Sequence, residues 1–136
     1  MRSSRSIAIV LLALVVFDAL LVLWAFGFPE WWFVLFHTTE QATPGAELFL
    51  KRCGANWAAF ALFQGLALKY WKSSPHWLAI VAGLRLGDSF TDVTYVVFAP
   101  DPTWIAIVAL PAAGIINLIL GWYFLTCYFQ RRSVND

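Results

Sequence analysis

The chain has 136 residues, of which 61% are hydrophobic and only 12% are charged, and its formal net charge is +1. Soluble domains carry about 25% charged residues, so this composition excludes an ordinary soluble domain and predicts an integral membrane protein. The lipid bilayer is the first partner that the sequence implies. The chain has no nucleotide-binding motif, and we expect no nucleic acid partner.

Four apolar runs are long enough to cross a bilayer, which takes about 20 helical residues. The predicted fold class is all-α: a polytopic membrane protein whose four transmembrane helices form an antiparallel bundle. The bundle is a single integral membrane domain over residues 1–136. Its helices are predicted at residues 7–26, 48–70, 76–99 and 103–129, with an outer loop at 27–47.

The first run has features of a secretory signal, because Arg2 and Arg5 precede it. The apolar core of a signal is about 7–15 residues long. This run is longer and carries Asp18 near its centre. We interpret it as a retained helix.

The charges that flank the runs alternate in sign, and the exceptions are Lys51 and Arg52 at the outer end of the second run. The N-terminus, the second connection and the C-terminus are basic, whereas the acidic residues of the first and third connections are Glu30, Glu40, Glu47 and Asp101. Basic segments stay on the cytoplasmic side of a membrane. This pattern predicts that both termini are cytoplasmic and that the first loop and the "PDPT" turn lie on the far side.

The outer loop is rich in aromatic residues, among them Trp31, Trp32 and Phe36. Aromatic side chains concentrate where hydrocarbon meets lipid headgroups, which predicts a short interfacial segment. The alternative is a lid over a cavity, in which these three side chains contact a lipophilic ligand.

The third run contains "GLRLGDSFTD". One helix face, an arc of about 80°, holds Val81, Arg85, Asp88, Asp92 and Tyr95. A charge at the centre of a bilayer costs at least about 2.5 kcal/mol. We therefore expect this face to look into the bundle or onto a partner subunit.

Depth in the membrane suggests partners for these charges. Asp18 lies at the level of Arg85, and Arg52 lies at the level of Asp92. Three carboxylates against two guanidinium groups leave one negative charge, which Lys51, water or a proton on one aspartate would compensate. The predicted polar core contains Asp18, Arg52, Asn56, Arg85, Asp88, Asp92 and Asn117, with Gln64 as a further candidate.

The fourth run places Gly114, Asn117 and Gly121 on one side of a helix, which favours close helix contact. Metal and haem sites are not expected. The two histidines lie on opposite sides of the predicted bundle, and no histidine or cysteine shares a layer with the aspartates. We therefore expect no metal and no cofactor other than a lipophilic ligand.

Two segments, "FLKRCGANW" at the start of the second run and "GLRLGDSFTD" in the third, resemble the DoxX-like group of small bacterial membrane proteins. The resemblance lies in size, topology and polar spacing. It implies a compact four-helix bundle in a bacterial inner membrane, in some members accessory to redox or quinone-linked systems.

The sequence favours a non-enzymatic function, in which the buried core binds a lipophilic small molecule or a membrane partner subunit. One alternative is a small proton-coupled transporter that acts as a dimer, with Asp18 as its proton carrier. Another is an intramembrane lipid isomerase that uses the paired Asp88 and Asp92. Beyond the bilayer, the expected partners are a second copy of the chain or a larger membrane complex.

Overall fold

The computed structural model describes residues 4–38, 43–99 and 101–135. Arg2 and Glu40, on which the predicted topology partly depends, lie outside these ranges. The described part of the chain forms helices and no strand, which confirms the all-α class. The helices are α1 (Ser4–Gly27), α2 (Pro29–Phe36), α3 (Pro44–Tyr70), α4 (His76–Phe98) and α5 (Trp104–Asn135).

Local capping explains where two of the long helices begin. The Thr43 hydroxyl accepts a hydrogen bond of 3.2 Å from the Ala46 amide, and Pro44 occupies the first turn of α3. Thr103 caps α5 in the same way through the Ala106 amide, also at 3.2 Å. Each hydroxyl satisfies an amide that has no partner within its own helix.

The four long helices pack mainly as two pairs, α1 with α3 and α4 with α5, and α3 also contacts α4. Glycines allow both pairs to approach closely. A Cβ atom on Gly54 of α3 would lie 2.8 Å from the Phe26 ring of α1, and one on Gly121 of α5 would lie 2.7 Å from Leu86 of α4. The predicted close contact through the glycine face of α5 is confirmed.

Backbone and side-chain contacts define the two ends of the bundle. At one end, which we call the terminal end, Arg131 donates a hydrogen bond of 3.1 Å to Ser4 and lies 4.3 Å from the centre of the Trp71 ring. At the other, which we call the α2 end, the Thr103 amide donates to the Phe36 carbonyl. At this end the Thr38 amide also donates a hydrogen bond to the carbonyl of Asp101, which lies between α4 and α5.

Apolar clusters fill both ends, and the buried polar side chains lie between them along each helix. The cluster at the terminal end contains Ile7, Leu11, Leu14, Ala67, Trp71, Leu78, Val81, Ala82, Phe124 and Cys127. The cluster at the α2 end contains Ala25, Trp32, Phe33, Phe36, Leu50, Ala106 and Leu110.

Within the described ranges, two helices are long and apolar enough to cross a membrane. They are Ser4–Gly27 and Trp104–Ser133, with mean hydropathies of 2.9 and 2.1. Only 22% of the most apolar stretch of each is buried inside the protein, whereas the core helix of a soluble protein would be mostly covered. α3 and α4 do not meet the same criterion.

Candidate functional site

A layer of polar side chains crosses the middle of the bundle. Each of the four long helices contributes to it: α1 supplies Asp18, α3 supplies Gln64 and α5 supplies Asn117. α4 supplies Arg85, Asp88 and Asp92. Asp18 and Gln64 are fully buried and Arg85 is 1% exposed. Because buried polar groups are costly without partners, their contacts constrain how the four helices fit together.

Asp18 and Arg85 form the central ion pair. Arg85 Nη2 donates to Asp18 Oδ2 at 2.8 Å, and Nη1 donates to Oδ1 at 3.4 Å. Gln64 Nε2 adds a hydrogen bond of 2.7 Å to the same carboxylate. A carboxylate that accepts from both terminal nitrogens of a guanidinium group forms the strong kind of ion pair, and this pair links α1 to α4. The bond from Gln64 adds α3. The pairing predicted from depth is therefore confirmed.

Asn117 continues the layer on the other side of Arg85. Its amide nitrogen donates to Asp88 Oδ2 at 3.0 Å and to Asp92 Oδ2 at 3.2 Å. Its carbonyl oxygen accepts from Arg85 Nη1 at 3.4 Å. Arg85 Nη1 also lies 3.6 Å from Asp88. A continuous chain of polar contacts thus runs from Gln64 to Asp92.

The position predicted for Arg52 in the polar core is wrong. Arg52 is exposed on α3 and forms no ion pair with Asp92, and Asn56 is exposed on the same side. The buried positions Leu50 and Gly54 of α3 lie about 200° around the helix from Arg52. The prediction is wrong because α3 is rotated about its axis so that Arg52 and Asn56 lie outside the face that packs inward.

The charge balance changes with this correction. The layer has three carboxylates, those of Asp18, Asp88 and Asp92, and one guanidinium group, that of Arg85. Lys51, the other candidate for charge compensation, pairs instead with Glu47 on its own helix at 2.6 Å. The excess of acidic groups over basic groups is thus larger than the sequence predicted.

A cavity of about 450 Å³ opens beside this layer at the α2 end. Asp92 lies in its wall, whereas Asp88 is not among the described lining residues. The described lining comes from α2, α3, α4, α5 and the residues next to them, and consists of Trp32, Phe33, His37, Thr43, Ala46, Phe49, Leu50, Cys53, Trp57, Thr91, Asp92, Tyr95 and Leu110.

The aromatic lid differs from the prediction in two of its three members. Trp32 lines the cavity, 5.4 Å from Trp57 between ring centres. Phe36 is buried against Trp24 and Trp32 without lining the cavity. Trp31 is 68% exposed, because on this short helix it faces away from the stripe that Trp32 and Phe36 form four residues apart.

Other cavity residues were not predicted from the sequence as part of a site, although Tyr95 falls on the charged face of the third run. Tyr95 and His37 are hydrogen-bonded to each other and join α4 to the end of α2. Trp57 and Cys53 follow Leu50 at helical spacing on the inner face of α3. This helical spacing indicates the inner face of α3. The polar residues on the opposite face led to the wrong choice of inner face from the sequence.

Metal coordination has no support in the described part of the chain, where no three His, Cys, Asp or Glu residues come together as ligands. The two cysteines lie far apart in the fold. Cys53 lines the cavity and Cys127 is buried at the terminal end. The polar chemistry of the site therefore rests on carboxylate, guanidinium and amide groups.

Comparison with family models, curated proteins and solved structures found no match. The resemblance to the DoxX-like group therefore stays a prediction.

Proposed function

We propose that the protein is a four-span membrane protein that binds a lipophilic small molecule, without catalysis, in the cavity at the α2 end. The main support for the proposal is that an aromatic cavity of about 450 Å³ lies next to the polar layer. Asp92 belongs to both, because it lines the cavity and accepts a hydrogen bond from Asn117 of the layer. Small-molecule sites are clefts of about 300–1,000 Å³ with apolar walls and few polar groups.

The four-span arrangement is supported by the lengths of α3 and α4. They contain 27 and 23 residues, which corresponds to about 40 and 35 Å of helix, whereas the hydrocarbon core is about 30 Å thick. Both helices pack alongside the two apolar spans. We infer that they cross the membrane with α1 and α5.

The charges of α4 do not oppose this arrangement, because they face the bundle. Arg85 and Asp88 are buried, while Phe90 is 80% exposed and Val97 is 66% exposed. A helix with inward charges and outward apolar side chains suits lipid on its outer face. The hydropathy of α4 is therefore low because of the charged side chains on its inner face, and its outer face is apolar.

The orientation follows from the charges at each end of the bundle. Lys69, Lys72 and Arg131 lie at the terminal end, and Glu30 and Asp101 lie at the α2 end. By the positive-inside rule the terminal end is cytoplasmic and the cavity lies towards the opposite side. The resemblance to small bacterial proteins points to an inner membrane.

Cysteine labelling tests the topology. In a background of Cys53→Ser and Cys127→Ser, we expect Lys72→Cys to react with an impermeant maleimide only after the cells are opened. Asp101→Cys is expected to react in intact cells. Labelling of both positions from the same side would contradict the four-span arrangement.

Probe binding tests the cavity. The neutral fluorophore N-phenyl-1-naphthylamine is added to the purified protein in lipid nanodiscs, and energy transfer from tryptophan to the probe is measured. Ala46→Trp fills the cavity and is expected to abolish saturable binding. Ala55→Trp, on the exposed face of the same helix, is the control with an equal number of tryptophans. Equal binding by both variants would refute the proposal.

A further inference from the structure

The cavity wall combines aromatic rings with one carboxylate. Asp92 contributes the only carboxylate among the described lining residues, and the rings come from Trp32, Phe33, Phe49, Trp57 and Tyr95. Aromatic faces carry negative electrostatic potential and attract organic cations placed over them. The wall therefore favours a positively charged group near Asp92.

Asp92 has a carboxylate oxygen available for a ligand. Its Oδ2 accepts the hydrogen bond from Asn117, and its Oδ1 accepts none from the described residues. The side chain is only partly buried and borders the cavity. An occupant can thus reach Oδ1 without breaking the contact with Asn117.

Nearby basic groups do not neutralise this carboxylate. None of the described lining residues is a lysine or an arginine. Arg85 is engaged by Asp18, Asp88 and the carbonyl oxygen of Asn117, and Arg52 is exposed on the outer face of α3. The layer behind Asp92 therefore has three carboxyl groups and one guanidinium group, and it presents no basic side chain to the cavity.

The remaining polar atoms of the lining do not favour an anion. The hydroxyl of Tyr95 and Nε2 of His37 are hydrogen-bonded to each other. These two groups are the best suited to donate a hydrogen bond to an anionic ligand, and both are already engaged at these atoms. An anion would also lie beside Asp92, and like charges repel strongly where water is scarce.

We propose that the cavity binds a lipophilic organic cation, of the quaternary ammonium or phosphonium class, with its charge beside Asp92 and its apolar groups against Trp32 and Trp57. The proposal rests on the proposed function, because it uses the same cavity and specifies the charge of the ligand. It follows from the geometry of the lining and from the charge balance of the polar layer.

The experiment compares two ions of nearly the same shape and opposite charge. Tetraphenylphosphonium and tetraphenylborate are titrated against the full chain in nanodiscs, with N-phenyl-1-naphthylamine as the neutral reference. We expect saturable binding of the phosphonium and at least about tenfold weaker binding of the borate, since the charge contacts reverse in sign. Equal affinity for the two ions would overturn the proposal.

Variants of the carboxylate give the second readout. Asp92→Asn is expected to weaken phosphonium binding about tenfold or more while binding of the neutral probe continues, which also reports that the cavity is folded. Asp92→Glu should restore the phosphonium affinity. Asp101→Asn, at the exposed α4–α5 connection, is the control and should bind as the native chain does.

The outcomes separate the two proposals. Binding of the neutral probe without phosphonium binding, or phosphonium binding unchanged by Asp92→Asn, would overturn the cation assignment and leave the cavity as a lipophilic site. Failure of all three probes to bind would overturn the proposed function as well.

Discussion

The ion pair between Asp18 and Arg85 provides the most direct test of the buried polar layer. The N–O distance is 2.8 Å, and the exposed fractions of the two side chains are 0% and 2%. Removal of one partner leaves the other charge buried without compensation, which costs about 3–5 kcal/mol. We expect the lower end of this range for Asp18→Leu, because Arg85 keeps its contacts with Asp88 and Asn117. We expect the same for Arg85→Met, because Asp18 keeps its hydrogen bond from Gln64.

The chain contains its own control at a similar distance. Lys51 and Glu47 are 2.6 Å apart, with exposed fractions of 38% and 39%. Exposed pairs on one helix contribute about 0.3–0.5 kcal/mol. The two pairs therefore differ in burial far more than in geometry, and Lys51→Met should lower the free energy of unfolding by a small fraction of the loss in Arg85→Met.

The assay is equilibrium unfolding in mixed micelles, with sodium dodecyl sulfate as denaturant and circular dichroism as readout. We expect Asp18→Leu and Arg85→Met each to lower the free energy of unfolding by about 3 kcal/mol. The double variant should lose less than the sum by about 2 kcal/mol, because neither buried charge of the pair is then left alone. Additive single losses, or losses no larger than that of Lys51→Met, would refute the pairing.

Three further changes test packing and polar contacts by the same assay. Gly121→Ala should destabilise the fold by about 1–3 kcal/mol, since its Cβ would meet Leu86 at 2.7 Å, whereas Gly87→Ala has open space and should gain up to about 1 kcal/mol. Asn117→Leu should cost about 1–3 kcal/mol because the buried Asp88 and the partly buried Asp92 lose a donor. The exposed Asn56→Leu should change stability by less than about 0.5 kcal/mol, and equal effects of the two changes would contradict the polar layer. Arg131→Ala should cost about 1 kcal/mol through loss of its contact with Trp71, and no difference from Gln130→Ala would contradict that contact.

Several features of the fold and of the site could be predicted from the sequence because they depend on position along the chain. Charges every three or four residues in the third run place Arg85 and Asp88 on one helix face, and the cost of charge in lipid turns that face inward. Distance from the ends of the runs then places Asp18 at the level of Arg85. The structure brings all three together.

Rotation of the helices about their axes was decided only by the tertiary structure. α3 carries polar residues on two faces, Arg52 and Asn56 on one and Gln64 on the other, so polarity alone does not indicate which face is inside. Depth placed Arg52 level with Asp92, but packing through Gly54 against α1 turned Arg52 outward and Gln64 towards Asp18.

Three features follow from the sequence alone: the helical class, the inward charged face of α4 and the level of its partner on α1. These follow from hydropathy and helical periodicity, which are local properties of the chain. The tertiary structure decided the excess of carboxylates in the polar layer, the outward direction of Trp31 and the cavity at Asp92. Each of these features depends on how two or more helices pack together. Position along a helix fixes the depth of a side chain, but rotation of the helix about its axis decides whether the side chain faces its partner.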